Sequence, residues 1–324
     1  MDIVVLGPGA IGTLLGGLLR LGGHDVTLVG RRRAEKPGQP IRIIHPAEWL
    51  IVDGLRYRPF GALAERGAAE ATLVTLGRHH LRAIRRPEFA GLVADGGPVF
   101  FFNGDPTEPQ RLAVAPERSR LGLTLTAAVK LQDGDVELAE SKSVIVVEKH
   151  PENQRLFGPL ARYGFEILEV DDARPFMNSF FLSQLLSLPV ALCNLTLTAF
   201  LSSPEGRELA RNILLEGFHT LEKTGEPLAP LPVMDPRDLL ARLEKKPLSF
   251  QGHRDEPDRA YNTVLQAYLR GRQTESLLVN RRLVEIASSV GLHLVWNWRV
   301  AQKAGRVGST GFYRDPDELL RSLE

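Results

Sequence analysis

The sequence predicts an α/β protein in which a doubly wound parallel sheet is followed by an all-helical half. Three observations predict it. First, an apolar run at residues 2–6 leads through a glycine-rich turn into a helical pattern at 10–21 and a second apolar run at 25–29. Strand, helix and strand within about 30 residues form a βαβ unit with a right-handed crossover. Second, apolar runs at 41–44, 72–76, 98–102, 121–126 and 143–147 follow, with helical patterns between several of them. Third, the rhythm changes at Asp171-Asp172-Ala173-Arg174-Pro175, after which helical periodicity dominates.

Each element has a local reason. Asp2-Ile3-Val4-Val5-Leu6 is short, apolar and β-branched, as a strand buried on both faces requires. Gly22-Gly23 ends the first helix before Asp25-Val26-Thr27-Leu28-Val29. Thr72-Leu73-Val74-Thr75-Leu76, Pro98-Val99-Phe100-Phe101-Phe102 and Ser143-Val144-Ile145-Val146-Val147 repeat the strand pattern. The later helices are expected at 176–201, 205–223, 235–244, 257–270, 274–290 and 296–304. Strand-type alternation returns only at 292–295, and a glycine-containing connection, Gly305 to Gly311, precedes a short charged helix near 315–323. These limits divide the chain into a sheet domain, residues 1–170, and a helical domain, residues 171–324.

The 324-residue length fits about two domains. Apolar residues at 43% and charged residues at 24% exclude a disordered, collagenous or fibrous chain. With 40 basic against 39 acidic residues, the net charge of +1 gives no global field to attract nucleic acid or an anionic membrane. Cys193 is the one cysteine, which precludes an intramolecular disulfide and fits a reducing, cytoplasmic compartment. Residues 2–6 are too short for a signal-peptide core, so no targeting segment is expected. The stretch 175–206 carries Ser183, Gln184, Ser187, Asn194, Thr196 and Thr198, too polar for a comfortable bilayer span and suited to a core helix. Of the 40 basic residues only eight are lysines, Lys36, Lys130, Lys142, Lys149, Lys223, Lys245, Lys246 and Lys303.

Gly7-Pro8-Gly9-Ala10-Ile11-Gly12 fits the G-x-G-x-x-G pattern in the context that gives it meaning, between a strand and a helix. Gly7 permits the tight turn, Gly9 lets the backbone approach a pyrophosphate, and Gly12 lets helix and strand pack closely. The helix N-terminus adds N–H donors and partial positive charge. The sheet domain is therefore of the Rossmann type. After the second strand comes Gly30-Arg31-Arg32-Arg33, with no carboxylate for a ribose 2′-hydroxyl. Arginines there suit a 2′-phosphate, so NADP is expected over NAD. A glycine turn without ligand and a solvated basic loop are the plainer alternatives.

These residues, with motifs further along, resemble the ketopantoate reductase family. The resemblance covers about residues 1–304 and is carried at four places: Gly7–Gly12 with Arg31; Leu73-Val74-Thr75-Leu76 before Gly77-Arg78; Phe102-Asn103-Gly104; and Gly271-Arg272-Gln273-Thr274-Glu275. It implies an NADPH-dependent 2-dehydropantoate 2-reductase of pantothenate biosynthesis, reducing a small 2-keto acid to a 2-hydroxy acid, as a monomer or homodimer. It also implies that Gly7, Pro8, Gly9, Ala10, Ile11, Gly12, Arg31, Leu76, Arg78 and Asn103 bind the cofactor. Asn103 would lie near the nicotinamide and substrate, Glu275 would hydrogen-bond the substrate hydroxyl, and Asn194 would belong to the catalytic helix. A carboxylate at Glu275 also suits the first turn of a helix capped by Thr274, a purely structural role.

One departure bears on the chemistry. The family carries a lysine on the first long helix of its helical domain, followed by asparagines four and eight residues on. Counting back from Asn194 puts Val190 and Leu186 in those places, and 175–206 contains no Lys, Arg or His. The family's serine on the later helix appears as Thr263. Gln184, Ser187, Ala191, Asn194 and Thr198 recur at helical spacing, which reads either as a cleft wall of neutral groups or as a buried helix with local hydrogen bonds, and Pro189 is expected to kink it. Hydride transfer to a ketone also requires a proton donor. The remaining candidates are His79, His80 and Lys130, each with a plain surface or loop alternative. No metal-ligand spacing and no G-x-S-x-G appear, so neither a metal site nor hydrolysis is expected. A non-catalytic NADP-binding sensor on the same scaffold is the competing reading.

Overall fold

The computed structural model describes residues 1–30, 39–62, 68–76, 96–104, 107–131, 134–138, 142–233, 235–244, 275–304 and 312–323. The chain divides into two compact units, Met1–Met177 and Asn178–Glu324.

The first unit opens with β1 (Asp2–Leu6), α1 (Ala10–Leu21) and β2 (Asp25–Gly30). There follow β3 (Ile41–Ile44), β4 (Trp49–Val52), β5 (Arg56–Pro59), β6 (Ala71–Val74), β7 (Val99–Phe102) and the single turn α2 (Glu108–Arg111). The unit continues with β8 (Ser119–Leu125), β9 (Ala128–Lys130), β10 (Val136–Leu138), β11 (Ser143–Glu148), α3 (Asn153–Phe157) and β12 (Phe165–Val170). Eight strands form the main sheet in the order β12-β11-β8-β7-β6-β1-β2-β5. Neighbours are parallel except β8 and β11, which run antiparallel. Ile3, Val4, Val5, Phe100 and Phe101 are fully buried, because a central parallel strand is covered on both faces.

Residues 41–44 form a strand but not one of this sheet. β3 belongs to a separate four-stranded sheet, β4-β3-β10-β9, whose side chains Ile43, Val52, Ala128, Val136 and Leu138 join the core around α1. The strands β4, β5, β9 and β10 are only three or four residues long, and β12 is interrupted by Glu166 and Glu169. None shows a run long enough to stand out from the sequence alone.

The second unit is helical among its described residues. Its elements are α4 (Arg174–Gln184, whose first turn belongs to the first unit), α5 (Ser187–Leu192), α6 (Leu197–Ser202), α7 (Pro204–Lys223) and α8 (Pro236–Glu244). They are followed by α9 (Glu275–Ser289), α10 (Trp296–Ala304) and α11 (Pro316–Leu323). Residues 292–295, read as strand-like, form no strand, and the helix expected at 257–270 lies outside the described residues.

The long helix expected over 176–201 is three helices. Pro189 has no N–H to give to the Leu185 carbonyl four residues back, and α4 and α5 part at Leu185-Leu186. That carbonyl is served instead by Asn280 Nδ2 of α9 at 3.3 Å. The second break follows α5. Asn194 takes a left-handed conformation with φ 52°, Leu195 N–H donates to the Val190 carbonyl and Asn194 N–H to that of Ala191. This is a complete Schellman ending with asparagine in the position that favours glycine or asparagine. Thr196 caps α6, its hydroxyl accepting from Ala199 N–H at 3.1 Å. Arg174–Leu192 is long and apolar enough to cross a bilayer by composition, but Leu182, Leu185, Leu186, Leu188, Val190 and Leu192 are the core of this unit.

Candidate functional site

The glycine-rich turn is built from β1, α1 and the end of β6. Gly7 sits at φ +101°, and its N–H donates to the Val29 carbonyl at 3.0 Å, which ties the turn to β2. A Cβ on Gly7 would lie 2.9 Å from the Leu76 nitrogen and 2.9 Å from Leu76 Cδ2. Leu76, buried, is thus the surface against which the turn closes. A Cβ on Gly12 would collide with the Gly7 carbonyl oxygen and Thr75 Oγ1. The Thr75 hydroxyl lies between the Leu6 carbonyl at 3.0 Å and the Gly7 carbonyl at 2.8 Å.

Gly9 differs from both. A Cβ there would meet nothing within 4 Å, so the protein's own packing does not demand glycine. Gly9 caps α1, its carbonyl accepting from Thr13 N–H at 2.9 Å. The N–H groups of Ala10, Ile11 and Gly12 precede that first intrahelical bond. Open space beside a helix N-terminus, at the one glycine without an internal reason, is the shape into which a dinucleotide pyrophosphate fits. Ala10 and Ile11 are the half-buried start of α1, and Pro8, also half-buried, turns its ring toward Gly30.

Two neighbours were not singled out by the sequence. A Cβ on Gly30 would come within 2.6 Å of Pro8 Cγ and 2.8 Å of the Tyr57 hydroxyl, so Tyr57 of β5 stands beside the turn where β2 ends. Thr75 is the other; it lies within the Leu73–Leu76 run just after β6, but nothing in the sequence sets its hydroxyl apart. Arg31, Arg78, His79 and His80 lie outside the described residues.

Asn103 ends β7 in a left-handed conformation with φ 56°. Its carboxamide is held at both ends by the Thr124 main chain: Oδ1 accepts from the Thr124 N–H at 2.9 Å and Nδ2 donates to the Thr124 carbonyl at 3.1 Å. The side chain imitates a strand residue and fastens the tip of β7 to β8. The residue type therefore has a structural reason here as well as the functional one the resemblance implies.

Asn194 and Glu275 belong to the second unit. Asn194 is exposed at the α5 terminus described above, not on a continuous helical face with Gln184 and Ser187. Ala191 of the supposed stripe is core. Leu186 and Val190, eight and four residues before Asn194, where the resemblance would put a lysine and an asparagine, are each 2% exposed. Glu275 opens α9, and its side chain and the preceding Gly271–Thr274 lie outside the described residues. Burial pushes the Cys193 thiol up to about 12, so it is not a nucleophile. No cluster of metal-binding side chains occurs among the described residues.

The fold defines a class: a two-unit protein with an N-terminal Rossmann-type sheet and a helical second unit. Residues 3–152 match the family model described as ketopantoate reductase PanE/ApbA. The N-terminal unit therefore carries the domain of the ketopantoate reductase PanE/ApbA family. No curated protein matches in sequence. Solved structures share the fold along the whole chain. A 2-dehydropantoate 2-reductase from Geobacter metallireducens GS-15 superposes with a TM-score of 0.75 at 18% identity, covering 95% of this chain and 100% of its own. D-mandelate dehydrogenase in its ternary structure with NADH and anilino(oxo)acetate gives 0.77 at 14% identity, covering 96% of this chain and 99% of its own. A ketopantoate reductase from Staphylococcus aureus, described as dimeric, gives 0.70 at 14% identity, again covering 96% and 99%.

Proposed function

We propose that the chain is an NADPH-dependent reductase that converts a small 2-keto acid to the 2-hydroxy acid. The observation that carries this reading is the turn, in which Gly7 and Gly12 are demanded by internal packing while Gly9 faces open space at a helix N-terminus. Gly7 to Gly12 hold the pyrophosphate through main-chain N–H groups, and Leu76 supports them from behind. Arg31 receives the 2′-phosphate, which favours NADP, and Arg78 follows the adjoining strand. A bound nicotinamide supplies the hydride. Asn103 fixes the strand end beside it, and Glu275 orients the substrate hydroxyl. Asn194 remains the polar residue offered by the α5 end. The domain limits 1–170 and 171–324, a cytoplasmic setting and a homodimeric assembly accompany the same reading.

A second reading rests on the burial of Leu186 and Val190. With no cation between residues 175 and 206, the scaffold binds NADP without turning it over. Titration with NADPH and NADH, followed by a panel of 2-keto acids, separates the two. The reductase reading expects tighter binding of NADPH and substrate-dependent oxidation. The sensor reading expects binding alone. Failure to bind either nucleotide overturns both.

A further inference from the structure

Lys130 is the last residue of β9, where the sequence alone reads a loop lysine or a stand-in proton donor. Its Nζ donates to the Pro8 carbonyl at 3.0 Å, across 122 residues of chain. The placement is built from both sides. Lys130 pairs with Val136 in the β9–β10 hairpin, and Leu131 N–H closes the hairpin on the Asp135 carbonyl at 2.8 Å. The Asp135 carboxylate, 1% exposed, accepts from the Arg42 N–H at 2.8 Å and from Arg42 Nε at 2.6 Å, which anchors the hairpin to β3. The small second sheet therefore delivers one ammonium group to the main chain of the glycine-rich turn.

The Pro8 carbonyl oxygen carries partial negative charge in the turn that, on the dinucleotide-binding reading, faces the pyrophosphate. An ammonium on the carbonyl oxygen offsets that charge, fixes the peptide's orientation and adds a full positive charge to the partial one of the helix N-terminus. We propose that Lys130 is a positioning and charge-supplying residue of the pyrophosphate end of the nucleotide site, a role that rests on the dinucleotide-binding reading above. It is not the replacement for the family's helix lysine.

The pyrophosphate is common to NADPH and NADH, whereas the 2′-phosphate is not. Lys130→Met should therefore weaken both nucleotides by a similar factor, about tenfold, read by quenching of tryptophan fluorescence or by calorimetry. Lys130→Arg, which keeps charge and donors, should bind within about threefold of wild type. Lys130→Gln keeps an N–H donor without the charge and should fall between them, and it carries the test if Lys130→Met does not fold. Affinities unchanged in both the Met and Gln variants would overturn the proposal, as would a loss confined to NADPH. Failure of the wild-type protein to bind either nucleotide would overturn the underlying reading instead, so the two failures are distinguishable.

Discussion

The glycine-rich turn of the first unit and the α4–α6 segment of the second answer differently to the same family pattern. In the turn, Gly7 and Gly12 are explained by what they touch and Gly9 by what it leaves open. In the helical segment, the positions that would hold the family's lysine and first asparagine are packed into the core, and Asn194 ends a helix. A cofactor cradle constrains the backbone, so its motif stays readable. A catalytic side chain constrains only one residue on a helix, and here the helix is broken and its inner face apolar.

The largest effect should come from substituting the turn. Gly12→Ala places a methyl against the Gly7 carbonyl and should cost about 3 kcal/mol of stability and abolish nucleotide binding. Gly9→Ala meets nothing and should melt with the wild type while losing at least about tenfold in NADPH affinity. Thermal melts paired with fluorescence titrations check both; a Gly9→Ala protein that binds normally would break the comparison from the first side.

Leu186→Lys attacks it from the other. Installing the family's cation at a position 2% exposed should destabilise the helical unit by about 3 kcal/mol, measured by urea denaturation, without raising turnover above that of the wild type. A stable variant with raised turnover would show that this position opens onto the chemistry after all.

A smaller loss should follow from Glu216→Gln. The Glu216 carboxylate on α7 accepts from the N–H groups of Val295 at 2.6 Å, Trp296 at 2.9 Å and Asn297 at 2.9 Å, and from Asn297 Nδ2 at 2.8 Å. It caps α10 from another helix, and Asn297 Oδ1 in turn accepts from Asn280 Nδ2 at 2.8 Å. Because Asn280 also serves the Leu185 carbonyl, this network holds the break that Pro189 opens. The variant should lose about 2 kcal/mol, and a double-mutant cycle with Asn297→Ala should show coupling.

The smallest effect concerns pH in the first unit. Burial, and then the nearby N-terminal ammonium, lower His24 from its ordinary value of 6.5. The folded protein keeps it neutral while the unfolded chain takes up a proton. Its contribution to stability is thus fully present above about pH 6.5 and is lost as pH falls through that value toward the lowered folded pKa. Urea midpoints at about pH 7.5 and about pH 5.5 should differ in that direction, by under about 1 kcal/mol, and less so in His24→Gln.

Much of this was legible in the sequence. The βαβ opening, the sheet rhythm through 143–147 and the helical second half follow from periodicity and glycine placement. The second sheet was not legible, because β9 and β10 are three residues each and gain their meaning from pairing with β3 some 90 residues away. The helix breaks were half legible: Pro189 announces one, whereas Asn194 reads equally well as a site residue or a Schellman cap. The Glu216 cap and the Lys130 contact left no local trace, being long-range partnerships between residues that look like ordinary surface charges.

The most direct test of the central claim is the loss of nicotinamide absorbance when purified protein and NADPH meet a panel of small 2-keto acids. A reductase of this kind should show substrate-dependent oxidation of NADPH with an equal amount of 2-hydroxy acid formed. Tight NADPH binding with no oxidation by any keto acid in the panel would contradict it.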